Sequence, residues 1–280
     1  MIRVLITGGN GNIATMIKNN LSSKYNITTL SHEELDVLHY DKLSVFLNNN
    51  SFDILVHTAI LGGRRTKIEN GEVTHFNLLM FENILKFADK FKMIINLDSA
   101  AIYDRSTDIL NRKEDDLYTV PNDYYGFSKY IIYNRSLLFS NIFNFRIFNI
   151  FHKNEEKDRF IYSCFNSKKN NEKLTIFEDK YFDFVYENDF VKIVDYYFEN
   201  VNNISFLSKT INICYEKKYK LSEIAEMIIE DKSLIEIINP TSNNNYSGCY
   251  HKLYTLPIVF DGLDKGLECY SQNFMLNNSI

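Results

Sequence analysis

A chain of 280 residues, 45% of them hydrophobic, carries ample apolar material for one large domain, or for one domain with a smaller partner. Its net charge of -5 and pI near 5.7 offer nucleic acid or an anionic membrane no attraction, so neither is expected as a partner. The four cysteines form no Cys-x-x-Cys pair, which argues against a zinc site or a disulfide framework and fits a reducing cytoplasm.

No apolar run approaches the ~20 residues of a membrane span, and the first residues read as a strand rather than a leader. The first half alternates short apolar strands with amphipathic helical stretches, the pattern of a parallel α/β sheet covered on both faces. Strands are expected near 2–6, 27–30, 54–57, 93–97 and 143–150, and helices near 12–22, 41–48, 72–91 and 122–140. The strand Ile2-Arg3-Val4-Leu5-Ile6 runs straight into Thr7-Gly8-Gly9-Asn10-Gly11-Asn12-Ile13-Ala14. Gly8 and Gly11 let the backbone turn sharply toward a pyrophosphate, and Ala14 is small enough for the next helix to pack on the strand. That helix would aim its N-terminal amides at the phosphates, so the stretch reads as a dinucleotide site.

The apolar strand Met93-Ile94-Ile95 leads into Asn96-Leu97-Asp98-Ser99-Ala100-Ala101-Ile102-Tyr103, which puts Ser99 at the carboxyl end of a central strand. Pro121, Asn122 and Asp123 then read as a turn and helix start before Tyr125-Gly126-Phe127-Ser128-Lys129. At this spacing Tyr125 and Lys129 lie one turn apart on one helix face. An ammonium there favours the phenolate and draws a phenol of pKa ~10 toward the working range of an acid-base catalyst. His57 and His75 have no partners at metal-ligand spacing and read as structural, so no metal is expected.

A strand with a glycine turn, then Ser99, then Tyr125 and Lys129, in this order, resembles the extended short-chain dehydrogenase/reductase family, of NAD-dependent epimerase/dehydratase type, that acts on nucleotide sugars. Leu30 to Val37, Ala59 to Gly63, Ser99 to Tyr103 and Gly262 to Leu267 carry a nearer likeness to its GDP-L-fucose synthase branch. The resemblance implies a Rossmann-type, doubly wound parallel sheet with a smaller C-terminal α/β substrate-binding part. The implied division is 1–151, with 182–204 returning to it, for the dinucleotide, and 152–181 with 205–280 for the substrate.

It also implies a catalytic trio of Ser99, Tyr125 and Lys129. Gly8, Asn10, Gly11, Asn12, Ile13, Ser31, His32, Asp36, Thr58, Ala59 and Lys129 would line the cofactor, with Asp36 at the adenine edge or simply turning the chain. Thr29-Leu30-Ser31-His32 offers no carboxylate until Glu33, which favours NADP(H) and leaves NAD(H) open. Asn77 stands where the family often has a cofactor-side asparagine. Gly62-Gly63-Arg64-Arg65-Thr66-Lys67 reads either as a solvated charge run or as a clamp in which Arg64 and Arg65 meet a diphosphate.

In the second half, Arg146-Ile147-Phe148-Asn149 is similar to the family's Arg-x-x-Asn, which would turn Asn149 toward the nucleotide sugar. Phe182 replaces an arginine that ordinarily meets the diphosphate, leaving Lys180 as a substitute. Leu221 to Ile229 reads as a structural helix and Asn239 to Tyr250 as a loop. Ala100-Ala101 cannot do the acid-base work of the Asp-Glu found in dehydratases. Ala101 and Arg159 stand where a proton-shuttling Cys and His would be. The expectation is an NADPH-dependent C4 reductase of a nucleotide-linked 4-keto-6-deoxy sugar without epimerisation, in a cytoplasmic homodimer. Its rivals are a C4 epimerase with bound NAD and a non-catalytic dinucleotide sensor.

Overall fold

The computed structural model describes residues 1–64, 68–242 and 244–277. In chain order the first elements are β1 (Arg3–Thr7), α1 (Asn12–Leu21), β2 (Asn26–Leu30), α2 (Tyr40–Asn49), β3 (Ile54–His57), α3 (Gly71–Leu85) and β4 (Met93–Ser99). There follow β5 (Ile109–Arg112), α4 (Tyr124–Ser136), β6 (Ile142–Ile147), β7 (Ile150–Phe151), α5 (Phe160–Asn170), β8 (Leu174–Glu178), β9 (Val185–Tyr186) and α6 (Glu187–Glu199). The chain ends with β10 (Thr210–Ile213), α7 (Leu221–Ile228), β11 (Ile235–Asn239), β12 (Tyr246–Gly248) and α8 (Gly262–Asn277).

The chain divides into two compact units. The first comprises Met1–Ser106, Glu114–Ile147 and Val191–Ile211; the second comprises Thr107–Lys113, Phe148–Phe190 and Asn212–Ile280. A six-stranded sheet in the order β10-β6-β4-β3-β1-β2 forms the frame of the first. Its β2, β1, β3, β4 and β6 pair in parallel, so the helices between them must cross over the faces. All four residues of β3 are buried, as a strand covered on both sides requires. On one face Leu5, Leu55, Ile94 and Ile142 pack with Leu43 and Leu47 of α2 and with Phe81 and Ile84 of α3. Tyr197 of α6 sets its ring edge-on against Phe143 and Phe145 of β6.

Two expected helices are shorter than their apolar patterns. The region expected to be helical to residue 91 leaves the α-helix after Leu85 and adds a 3-10 turn at Ala88–Lys90. Helix α4 stops at Ser136, whose hydroxyl donates to the Tyr133 carbonyl at 2.6 Å and accepts from the Asn144 amide at 2.8 Å. Leu137 and Leu138, within the stretch expected to be helical to residue 140, are 49% and 72% exposed.

The second unit holds the parallel pairs β7 with β9, β8 with β11 and β5 with β12. Strand β12 corrects the expectation of a loop from Asn239 to Tyr250: Tyr246, Ser247 and Gly248 are buried, and the Ser247 hydroxyl accepts from the Asn111 N–H at 2.9 Å. Asn243 lies outside the described residues.

Candidate active site

The turn after β1 needs its first glycine. Gly8 has φ +68°, and a Cβ there would stand 2.8 Å from the Ala59 backbone nitrogen. The turn is tied down by Gly9 N–H to the Leu30 carbonyl at 2.8 Å, Gly11 N–H to the Gly8 carbonyl at 2.9 Å and the Thr58 hydroxyl to the Thr7 carbonyl at 2.6 Å. Helix α1 then starts at Asn12 with Gly11 as N-cap and no side-chain cap bond, while Ala14 is fully buried beneath it. An uncapped helix start behind a left-handed glycine fits the pyrophosphate of a dinucleotide. Asn10 and Asn12 are exposed there and Ile13 is half-buried.

At the end of β2, Ser31 is engaged locally. Its N–H donates to Glu34 Oε2 at 2.8 Å, and its hydroxyl accepts from the Glu34 N–H at 3.3 Å. Asp36 accepts from the Leu38 N–H at 3.0 Å and is flanked at 3.4 Å by the rings of His32 and His39. The His32 side chain is 77% exposed.

Ser99 closes β4, and its hydroxyl accepts from the Ala101 N–H at 3.2 Å as the chain enters the 3-10 turn Ala100–Tyr103. Helix α4 is docked against this turn at Gly126, where a Cβ would come within 2.8 Å of the Ala101 carbonyl oxygen. Only a glycine next to Tyr125 allows that approach. One turn on, Lys129 is buried, and its ammonium donates to the Leu97 carbonyl at 2.5 Å. The Lys129 nitrogen is 5.8 Å from the Tyr125 ring centroid and the Arg105 guanidinium is 5.7 Å from it. The three residues thus lie within the first unit, Ser99 at a strand end and Tyr125 and Lys129 on the helix docked against the turn that follows it. Burial pushes the Lys129 ammonium down to about 8, with Asp98 pulling the other way.

Asn77 is buried and exchanges two bonds with the backbone of Leu61, at 2.8 and 3.0 Å, while its amide donates to the Ser128 hydroxyl at 3.1 Å. His57 is buried against the Thr7 hydroxyl at 2.9 Å. Burial, then the charge of Lys129, hold its ring down to about 3, so it stays neutral. Among the described residues no group of three or more His, Cys, Asp or Glu is placed to hold a metal ion.

Of the residues expected at the substrate, Arg64 is exposed in the first unit and Arg65 lies outside the described residues. Asn149 and Lys180 belong to the second unit. The Asn149 carbonyl accepts from the Val185 N–H at 2.9 Å, and the Lys180 ammonium is paired with Glu178 at 2.7 Å. Phe182 packs its ring on Phe184 and Tyr246, at 5.0 and 5.1 Å between centroids.

Three features carry interactions that the sequence reading did not assign. Glu69 holds the Gly63 N–H with one carboxylate oxygen, at 2.6 Å, and the Tyr125 N–H with the other, at 3.2 Å. Asp123 caps α4 by accepting from the Gly126 N–H at 2.8 Å and is also paired with Arg105 at 2.5 Å. Asp98 and Arg146 form a fully buried ion pair at 2.7 Å. Of these residues, Asp123 was legible as part of a helix start, and Asp98 and Arg146 as charges inside largely apolar strands.

A parallel sheet with a glycine-turn phosphate cradle and a Ser-Tyr-Lys constellation defines an NAD(P)-dependent oxidoreductase. Residues 4–214 match the NAD dependent epimerase/dehydratase family, and the chain belongs to that family. It is 29% identical to GDP-L-colitose synthase of Yersinia pseudotuberculosis over 112 residues, which cover 38% of this chain and 36% of that protein. The fold is similar to that of GDP-mannoheptose C4 reductase from Campylobacter jejuni with NADP bound, with a TM-score of 0.80, 15% identity and 98% of each chain covered. It is equally similar to dTDP-glucose 4,6-dehydratase from Bacillus anthracis in complex with NAD, with a TM-score of 0.80, 15% identity and 100% and 98% of the two chains covered. Among the described residues no helix is long and apolar enough to cross a membrane.

Proposed function

We propose that the protein reduces the C4 ketone of a nucleotide-linked 4-keto-6-deoxy sugar with NADPH, leaving C3 and C5 untouched. The observation that carries this reading is the docking of α4, which sets Tyr125 and buried Lys129 against the strand end that bears Ser99. The dinucleotide, held at the turn from Gly8 to Ile13 and beside Thr58 and Ala59, supplies the hydride. Tyr125 gives its proton to the ketone oxygen, Ser99 shares the hydrogen bonding of that oxygen, and Lys129 stabilises the phenolate left behind. Arg64, Asn149 and Lys180 are assigned to the nucleotide sugar.

Two further observations support the finer parts. Ala100 and Ala101, both buried, supply no acid or base beside Ser99, and Arg159, at the N-cap of α5, supplies no neutral imidazole. Two of the carboxylates after β2 are committed locally, Glu34 to Ser31 and Asp36 between two histidines, which supports a 2'-phosphorylated cofactor. Incubation with NADPH and such a ketosugar in deuterated water tests the proposal. Loss of NADPH absorbance without deuterium at C3 or C5 is expected. Deuterium at either carbon, or interconversion of C4 epimers with no net consumption of NADPH, overturns it.

A further inference from the structure

We infer that Asp98, anchored by Arg146, is a positioning residue that keeps the Lys129 ammonium charged inside the protein, and this rests on the reading of Tyr125 and Lys129 as the proton-transfer pair. Side chains alternate along β4, so Asp98 points to the face opposite Leu97 and Ser99. It lies in register with Arg146 on β6, and both side chains have no exposure. The guanidinium sits between the rings of Tyr103 and Tyr133, at 4.8 and 4.7 Å, and donates to the Tyr103 hydroxyl and the Glu114 carbonyl, each at 2.7 Å. Arg146 is held too tightly to follow a moving charge.

Tyr133 follows Lys129 by one turn on the same face of α4. The helix face that roofs the guanidinium therefore also carries the ammonium, which ends on the carbonyl of Leu97, the residue before Asp98. One Asp98 oxygen takes Arg146; the other makes no hydrogen bond, nor does Arg146 Nη2. Both charges of the pair are fully buried, so solvent screens the pull of Asp98 on a nearby cation very little.

Near Lys129 stand His57 from β3, held neutral, and Tyr125 from its own helix, whose ring centroid is 5.8 Å from the ammonium. Neither of these is an acidic carboxylate; Asp98 is. Burial alone drives a lysine toward its neutral form, and a neutral amine could neither stabilise a phenolate nor hold a ribose as a cation. The structure assigns the opposing pull to Asp98.

The test reads the lysine directly. In full-length protein carrying 13C-lysine, the Lys129 Cε resonance is assigned by its loss in Lys129→Arg and followed against pH. The midpoint in Asp98→Asn is expected about one pH unit or more below that of the wild type, roughly a tenfold fall in the charged-to-neutral ratio. The alkaline limb of kcat/KM should move with it. If Asp98→Asn does not fold because Arg146 is stranded, the double variant Asp98→Asn with Arg146→Met removes both charges, and a smaller fall in the same direction is expected, because a repelling cation is lost with the anion. An unchanged midpoint in either folded variant overturns the inference. Tyr125→Phe is assayed in parallel. Full ketone reduction by that variant would sink the catalytic reading, while the titration still decides what Asp98 does.

Discussion

Glu69 holds the backbone of Tyr125. One oxygen of its carboxylate takes the Tyr125 N–H and the other takes the Gly63 N–H, so a single side chain fixes the start of α4 to the loop that follows β3. A Cβ on Gly63 would lie 3.0 Å from the Tyr125 ring, so that loop is packed on the phenol itself. Replacing Glu69 removes two hydrogen bonds to a charged acceptor, each contributing about 1.5–3 kcal/mol.

In Glu69→Ala the phenol loses its backstop. A fall in kcat of tenfold or more is expected, with cofactor binding retained. Steady-state kinetics beside a thermal melt with and without NADPH checks this. A drop in melting temperature with unchanged kcat would make Glu69 merely structural.

Removing the phenol hydroxyl should matter more. Tyr125→Phe is expected to lower kcat by about 10²–10⁴, the usual contribution of a positioned general acid. Stability should stay near that of the wild type, because the ring and its packing are kept. Single-turnover measurement of NADPH oxidation separates this chemical defect from slow release.

The glycine turn gives a binding prediction that needs no turnover. Gly8→Val places a branched side chain at φ +68°, against Ala59 and Thr58. The variant should lose the stabilisation by NADPH that the wild type shows in a thermal-shift titration. Equal shifts in the two proteins would move the pyrophosphate elsewhere.

Glu155 yields a pH dependence in the second unit. Burial, partly offset by hydrogen bonds from Tyr270 and the Tyr162 N–H, pushes its carboxyl up to about 7 from an ordinary 4.5. Unfolding therefore releases a proton between these values, and the folded state loses stability as pH rises from 4.5 to 7, by up to about 3 kcal/mol. Glu155→Gln should be the more stable protein at pH 8, and its advantage should vanish near pH 4. Urea unfolding at the two pH values tests the sign.

The frame of the first unit could be read directly. Apolar runs such as Ile54-Leu55-Val56 and Met93-Ile94-Ile95 have no solvated face, and each is a central strand. Strand β10 could not, because Thr210-Ile211-Asn212-Ile213 alternates like a half-exposed strand although all four residues are buried. The Asn212 amide finds its acceptors in the carbonyls of Arg112 and Cys249, at 2.8 and 3.3 Å, which local sequence does not reveal. The same holds for β12, where turn-forming residues surround a strand satisfied by a distant partner. At the site, the spacing of Tyr125 and Lys129 is a property of one helix and was visible. The pairing of Asp98 with Arg146 depends on β4 lying beside β6, a matter of sheet order.

Two helix mouths in the first unit are treated oppositely. That of α4 is stoppered by the carboxylates of Asp123 and Glu69, whereas that of α1 has no plug from any side chain. An arriving anion is repelled from the first and welcomed at the second. The acidic groups beside Tyr125 thus act as a signpost, denying phosphate a wrong berth next to the phenol.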